Sequence, residues 1–387
     1  MSRLDAIARK DPRLVIGLNS GTSMDGVDAA LVRFSGPGDA PRFEILAHLV
    51  APHDAALRER LLGAPAFSTE EACRLHRELG ESFAAAAAGV ASAAGVALGD
   101  VDLVGSHGQT VCHLPGASGA PTSTLQLGDL DVVAARTGLP VVGDFRAADA
   151  AHGGAGAPLM PRLDLLLFRG LEGVLALNLG GIACLTWLPG GDAGVLAFDV
   201  GPCNAPLDLF AARATYGRLR FDLDGVLAAG GRVRPALLRR LLEHPYFAAL
   251  PPKTSGRETF GEAYARSVWD ETRAERIGPE DLLATHAFLV GAATGQAVDR
   301  FVPGGRDAVM HVVAAGGGVR NPAIRAGLEA AFPGRPLRTT DEFGVPSDAR
   351  EALLFAFLAH ERAFGRPSNV PSVTGARVAA SLGKVAG

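Results

Sequence analysis

LVIGLNSGTSMDGVDAALVRF, Leu14 to Phe34, consists of two apolar runs joined by a short polar turn. Leu14, Val15 and Ile16 lead into Gly17, and a second, alternating run extends from Val27 to Phe34. This spacing predicts a β-hairpin. The turn, Gly21-Thr22-Ser23-Met24-Asp25-Gly26, carries unusual chemistry. Its two glycines let the backbone approach a ligand closely, and the Thr22 and Ser23 hydroxyls stand beside bare N–H groups, a combination that suits phosphate oxygens. Asp25 and Asp28 are wrong for direct phosphate contact but right for ordering water around a Mg²⁺ ion. On these residues alone, an ordinary hairpin with a polar tip is the alternative.

The chain around this hairpin has 387 residues, enough for two or three domains. With 48% hydrophobic and 20% charged residues, it reads as a soluble globular protein with a large core. A net charge of −4 argues against a nucleic-acid partner, which usually meets a basic face. The basic residues are almost all Arg. Of three lysines (Lys10, Lys253, Lys384), only Lys253 lies away from the termini. Cys73, Cys112, Cys184 and Cys203 form no CxxC pair, which argues against zinc and for a reducing compartment. The N-terminus has no apolar signal core, and the Ala-rich stretch from Phe83 to Val96 is a poor membrane span. The expected location is the cytoplasm, with no membrane association.

Further along, helices are expected from Ser68 to about Gly95, from Gln126 to Thr137 and from Pro279 to Phe301. Another should open at Asn321-Pro322, and a last one should run from Asp348 to Phe364 with Asp348 as its N-cap. Ser106-His107-Gly108-Gln109-Thr110 reads as a polar loop after a strand, where α/β sheets gather ligands. The Gly-rich run from Ala151 to Pro161 suits substrate contacts or a hinge. The opening device then returns about 160 residues on. VLALNLGGIACLTWLP, Val174 to Pro189, is strand, Gly180-Gly181 turn, strand. A third glycine turn, Gly316-Gly317-Gly318, stands between a strand and a helix. There glycines admit a base or ribose against the backbone.

Three glycine turns in this order are shared by the sugar-kinase, heat-shock-protein-70 and actin superfamily. In that superfamily two RNase-H-like domains close over ATP. Longer words narrow the likeness: GTSMDGVDAAL, SHGQT, GDFR-x-x-D-x-A-x-GG-x-GAP, NLGGIA, FD-x-GP-x-N, HPYF-x-x-x-PPK-x-x-GRE-x-F, GGG-x-x-NP and PSVTGA occur in sequence. From Gly17 to about Ala376 the chain resembles the anhydro-N-acetylmuramic acid kinase family of bacterial cell-wall recycling. The resemblance implies an α/β fold of two RNase-H-like, actin-like ATPase domains with ATP and sugar in the cleft between them. The expected division is 1–160, with 348–387 packing back on it, and 161–347. It also implies ATP and Mg²⁺ as co-substrate and cofactor. Water would open the 1,6-anhydro ring, O6 would take the γ-phosphoryl group, and N-acetylmuramic acid 6-phosphate and ADP would leave. A homodimer is compatible with this family.

The resemblance assigns roles residue by residue. Asp199, in FD-x-GP-x-N, is the expected catalytic base; capping the next helix is the alternative. Glu351, at the start of the last helix, is expected near the sugar, against an ordinary solvated Glu. Gly21, Thr22, Ser23, Met24, Asp25, Gly26, Val27 and Asp28 are expected at the ATP phosphates. Gly180, Gly181, Gly316, Gly317, Gly318 and Asn321 complete the nucleotide site. His107, Gln109, Thr110, Asp144, Arg146 and Asn204 are the expected sugar contacts. For the loop residues the alternative is a loop held by its own hydrogen bonds. Arg146 would pair with the lactyl carboxylate or form a surface salt bridge. Lys253 is either a phosphate neutraliser on a mobile loop or a solvated lysine. The chain departs from the family pattern at Ala155, Cys184, Cys203 and Ala315, where Gln, Asn, Gly and Cys are usual. The first three would bear on substrate preference. The competing readings are a kinase for an ordinary amino sugar and a non-catalytic ATP-gated sugar sensor.

Overall fold

A computed structural model describes residues 3–21, 23–64, 66–114, 116 and 122–387, which leaves Thr22 of the opening turn outside the described residues. The chain forms two compact units. One holds the residues up to Leu166 and from Gly344 onward; the other is Leu167–Phe343.

In the first unit, β1 (Arg13–Ser20), β2 (Gly26–Ser35) and β3 (Arg42–Pro52) form an antiparallel meander. β4 (Leu103–Leu114) then pairs parallel with β1, and β5 (Ser123–Leu127) folds back antiparallel on β4. β6 (Val141–Gly143) pairs parallel with β4, and a short strand, Lys384–Ala386, closes that edge. The sheet order is therefore β3-β2-β1-β4-β6. β1 is apolar on both faces, as a central strand covered by helices must be. Alternate residues point to opposite faces. Ile16 and Leu18 join the core made with Leu75, Leu79 and Phe83 of the helix Thr69–Ala93.

The other face carries the last helix, Arg350–Ala363, at unusually short range. A Cβ on Gly17 would sit 1.8 Å from the Ala352 carbonyl oxygen, and one on Gly105 would sit 2.1 Å from that of Phe355. Gly17 and Gly105 are partners across β1 and β4, so they make one smooth seat for the helix. Only hydrogen in place of a side chain permits this approach.

The second unit repeats the plan. β7 (Val174–Leu179), β8 (Ile182–Leu188) and β9 (Leu196–Pro202) are an antiparallel meander; β10 (His311–Ala315) and β11 (Leu337–Thr339) add parallel strands. The order is β9-β8-β7-β10-β11, so each unit has the RNase-H-like arrangement expected from the sequence. The long helix Pro279–Phe301 buries its apolar side in this unit's core, as its 3.6-residue period predicts. Among the described residues, no helix is long and apolar enough to cross a membrane.

Three local expectations are corrected. The region expected as a loop at Ser106–Thr110 is strand, because β5 pairs with it from Gln109 onward. The helix expected from Gln126 is instead the end of β5 followed by Leu130–Thr137, capped by Asp129. Asp348 does not cap the last helix: it lies in a 3₁₀ turn, Ser347–Ala349, that feeds directly into it.

The glycine seat gives a direct test. Gly17→Ala and Gly105→Ala force a methyl group against backbone that no side-chain rotation can clear. Each should cost about 3 kcal/mol or more, read as a fall in urea midpoint. Gly99→Ala, where a Cβ meets nothing within 4 Å, is the control that should leave the midpoint unchanged.

Candidate active site

In the first unit, candidate side chains lie where β1 ends and β2 begins, in the middle of β4 and at the start of the last helix. Asn19 pairs with Asp28 across the hairpin, and its Nδ2 donates to Glu351 Oε2 at 2.5 Å. One buried amide thus serves two carboxylates. Asp28 is raised from its ordinary 3.8 to about 6, first by burial, then by repulsion from Glu351, Asp25 and Asp348, with Asn19 pulling it back. In the turn, Ser23 Oγ donates to Asp25 Oδ1 at 2.6 Å, and Met24 N–H donates to the Gly21 carbonyl at 3.1 Å. Met24 takes a left-handed φ of 51°. The Asp25 carbonyl accepts from His53 N–H at 2.9 Å. Gly26 and Val27 open β2, with Gly26 pressed against the Ala51 carbonyl.

This crowd of carboxylates has the right chemistry for a hard cation. Among the described residues, no three His, Cys, Asp or Glu side chains converge to hold a metal directly. An ion taken by Asp25 and Asp28 would be met through its own waters.

Behind the turn, Gln109 is fully buried. Its Oε1 accepts from Ser20 Oγ at 2.6 Å, and its Nε2 donates to the carbonyls of Gly21 at 3.2 Å and Thr110 at 3.1 Å. Gln109 thus braces the glycine turn. Thr110 Oγ1 accepts from Gln126 Nε2 at 3.2 Å.

His107 is also buried, with both ring nitrogens engaged. Nδ1 meets the Gly108 carbonyl at 2.9 Å, and Nε2 accepts from Arg146 Nε at 2.7 Å. Burial and the adjacent Arg146 push its pKa well below the usual range, so the ring is neutral, as an acceptor from guanidinium must be. Arg146 also donates to the Gly156 carbonyl at 3.1 Å and, among the described residues, forms no salt bridge. Gly156 is held in turn by Asp149, whose carboxylate accepts from Gly156 N, Asn369 Nδ2 and Thr374 Oγ1. The Gly-rich loop is therefore tied to the PSVTGA segment. Asp144, at φ 58°, pairs with Lys384 Nζ at 2.7 Å.

In the second unit, Asp199 lies on β9 beside Cys184 of β8. Its Oδ1 accepts from Cys184 Sγ at 2.9 Å and its Oδ2 from Ser255 N–H at 2.8 Å. Burial raises its pKa; the two donors and Lys253 oppose that shift, and Glu258 adds to it. Asp199 caps no helix, because the next one, Asn204–Ala214, begins after Cys203. Cys203 is fully buried, and burial pushes its thiol up to about 12, so it is packing and not a nucleophile.

The Gly180-Gly181 turn is braced by that helix start. The Gly180 carbonyl accepts from Asn204 N–H, and that of Gly181 accepts from Cys203 and Ala205 N–H. Asn204 Nδ2 donates to the Leu179 carbonyl at 3.2 Å. Gly316, at φ 90°, and Gly318 pack on Leu179, and Asn321 Oδ1 caps the helix Pro322–Ala331 through Ala323 N–H. Between Gly317, Asn321, Asn204 and the exposed Phe221 is a cavity of about 170 Å³.

These residues carry the sequence words noted above, and comparison with known proteins agrees. The model of the anhydro-N-acetylmuramic acid kinase family matches residues 13–386. The chain belongs to the anhydro-N-acetylmuramic acid kinase family. It is 44% identical over 395 residues to the anhydro-N-acetylmuramic acid kinase of Salinibacter ruber, spanning 100% of this chain and 99% of that one. The Xanthomonas axonopodis pv. citri kinase of the same name is 42% identical, over 97% and 98% of the two chains. That of Caldanaerobacter subterraneus subsp. tengcongensis is 39% identical over the whole of both.

Within this family frame, sequence reasoning missed Asn19, Ser20, Asp149, Ser255 and the setting of Lys253. Asn19 and Ser20 stand in the quoted stretch as polar residues ending an apolar strand, which was the available signal. Asp149 and Ser255 lie inside recognised words, but their hydrogen bonds are long-range and invisible in the letters. Lys253 is neither solvated nor on a free loop: it is buried against aromatic rings.

Asp28 generates a pH prediction. Its folded pKa is raised, so its stabilising contribution is complete below about pH 4 and is lost as pH rises through about 6. Asp28→Asn should melt a few degrees higher than wild type at about pH 8, with the difference vanishing below about pH 4. Mg²⁺ should raise the wild-type melting temperature at about pH 8 more than that of the variant.

Proposed function

We propose that this chain is an ATP-dependent kinase that hydrolyses the 1,6-anhydro bond of anhydro-N-acetylmuramic acid and phosphorylates O6. The products are N-acetylmuramic acid 6-phosphate and ADP, and the setting is cytoplasmic recycling of the cell wall. The observation that carries this reading is family membership over residues 13–386 with Asp199 half-buried and doubly hydrogen-bonded in the middle of β9.

Asp199 is the general base. A carboxylate whose two oxygens are held by Cys184 and Ser255 has a fixed orientation, and its raised pKa makes it a better proton acceptor than an exposed Asp. It takes a proton from water as that water attacks C1. The C1–O6 bond breaks, and O6 takes the γ-phosphoryl group from ATP while ADP leaves. The β1–β2 turn, braced by Gln109, offers its N–H groups to the phosphates. Asp25 and Asp28 would hold Mg²⁺ through its waters, and the ion would supply neutralisation of charge at the phosphates. The cavity beside Gly317 and Phe221 takes the adenosine, with the aromatic ring as one wall. Arg146 meets the sugar's carboxylate while His107 holds its Nε. Glu351, fixed by Asn19, faces the sugar hydroxyls.

A kinase for a reducing amino sugar would need no attacking water and hence no base at Asp199. A sensor would bind both ligands without turnover. Coupled ADP release with anhydro-N-acetylmuramic acid should proceed, and the reducing sugar offered alone should give little. Activity on the reducing sugar only would overturn the ring-opening claim, and binding without ADP would favour the sensor. Asp199→Asn should lower kcat by roughly 10²–10⁴-fold.

A further inference from the structure

Lys253 is the one internal lysine of the chain, and its surroundings are unusual for this residue type. It is 8% exposed. Its ammonium stands 4.7 Å from the centre of the Tyr246 ring, 5.2 Å from Phe301 and 5.5 Å from Phe198. Nζ also donates to the Tyr246 carbonyl at 3.2 Å. Three ring faces and one carbonyl make an aromatic box that attracts the ammonium more than it would the neutral amine, against the cost of burying the charge. No carboxylate forms an ion pair with it among the described residues.

The same residue is stapled to the proposed base. Asp199 N–H donates to the Lys253 carbonyl at 3.1 Å, and two residues on, Ser255 N–H donates to Asp199 Oδ2 at 2.8 Å. Tyr246, a wall of the box, donates its hydroxyl to the Asp199 carbonyl at 2.9 Å. The side chain of Lys253 therefore anchors the Pro-flanked loop that supplies one of the two donors on the Asp199 carboxylate. The other donor, Cys184, comes from β8 and is independent of this loop.

We propose that Lys253 is a positioning residue: its ammonium, held in the box of Phe198, Tyr246 and Phe301, locks the loop so that Ser255 N–H orients the Asp199 carboxylate for catalysis. The inference rests on Asp199 as the base. Charge on Lys253 matters because the neutral amine gains little from the ring faces. Arg300, at the end of the helix Pro279–Phe301, repels the ammonium; Asp199 on β9 attracts it; the short helix holding Tyr246 contributes only a ring and a carbonyl. Burial together with Arg300 lowers the lysine from 10.5 to about 8, within reach of an activity assay. Lys253 gains no charge from folding, so raising the pH neutralises it in the native protein and loosens the lock.

The test uses the full chain and measures ADP release with anhydro-N-acetylmuramic acid across the pH range for wild type, Lys253→Arg, Lys253→Met and Asp199→Asn, each checked by thermal melting. Wild-type kcat should fall as pH rises through about 8. Lys253→Arg, which stays charged, should keep its kcat to higher pH. Lys253→Met should lose on the order of 10-fold to 100-fold in kcat with little change in KM, and should show no alkaline fall. Wild-type kcat with an unaltered alkaline limb in folded Lys253→Met, or a wild-type limb in Lys253→Arg, would overturn the proposal while leaving the base in place. Asp199→Asn at wild-type kcat would instead remove the base assignment, and this inference with it.

Discussion

The contact between the last helix and the paired glycines of β1 and β4 fixes the geometry of the first unit. Gly17 and Gly105 let the backbone of Ala352 and Phe355 approach so closely that no larger residue fits. The consequence reaches the site directly. β1 ends in Asn19 and Ser20, β4 carries His107 and Gln109, and the helix begins with Arg350 and Glu351. Seating one element on the other two sets the 2.5 Å bond between Asn19 and Glu351. Arg350 reinforces the seat through a buried ion pair with Asp164, in a place where removing either partner would leave a bare charge.

The two units use one sheet order for different chemistry. In the first, carboxylates crowd the hairpin end, and burial, then repulsion from its neighbours, raises the pKa of Asp28 to about 6. That arrangement opposes stability and suits a site completed by a cation. In the second, one half-buried carboxylate is given two donors from different elements, Cys184 and Ser255. An oriented acceptor is what proton abstraction needs. Cys184 stands where the family usually has Asn. The thiol keeps a donor on Asp199, though a weaker one, so on the proposed reading this departure would bear on the base more directly than on sugar contact.

Much of this fold is legible in the letters, because local patterns carry it. The hairpins around Gly21 and Gly180 announce themselves through apolar runs and glycine turns, and the helix Pro279–Phe301 through its period. What fails is context. Ser106–Thr110 is polar enough to read as loop, yet pairing with β5 makes it strand and buries His107 and Gln109. Lys253 reads as a surface residue because a lysine usually is one, and nothing in its neighbours along the chain reveals Phe198 and Phe301 closing around it. The candidate site follows the same division. The family words name Asp199, Glu351 and Arg146, but their partners (Ser255, Asn19, His107) come from distant positions that only the fold brings together.

The central claim is that one water, activated by Asp199, opens the anhydro ring as O6 is phosphorylated. A single-turnover reaction in ¹⁸O-labelled water, trapped by borohydride reduction of the sugar product, tests it most directly. The account predicts one labelled oxygen at C1 of the sugar 6-phosphate, none in the phosphoryl group, and one ADP per sugar opened. Label in inorganic phosphate, with the anhydro ring intact, would contradict it.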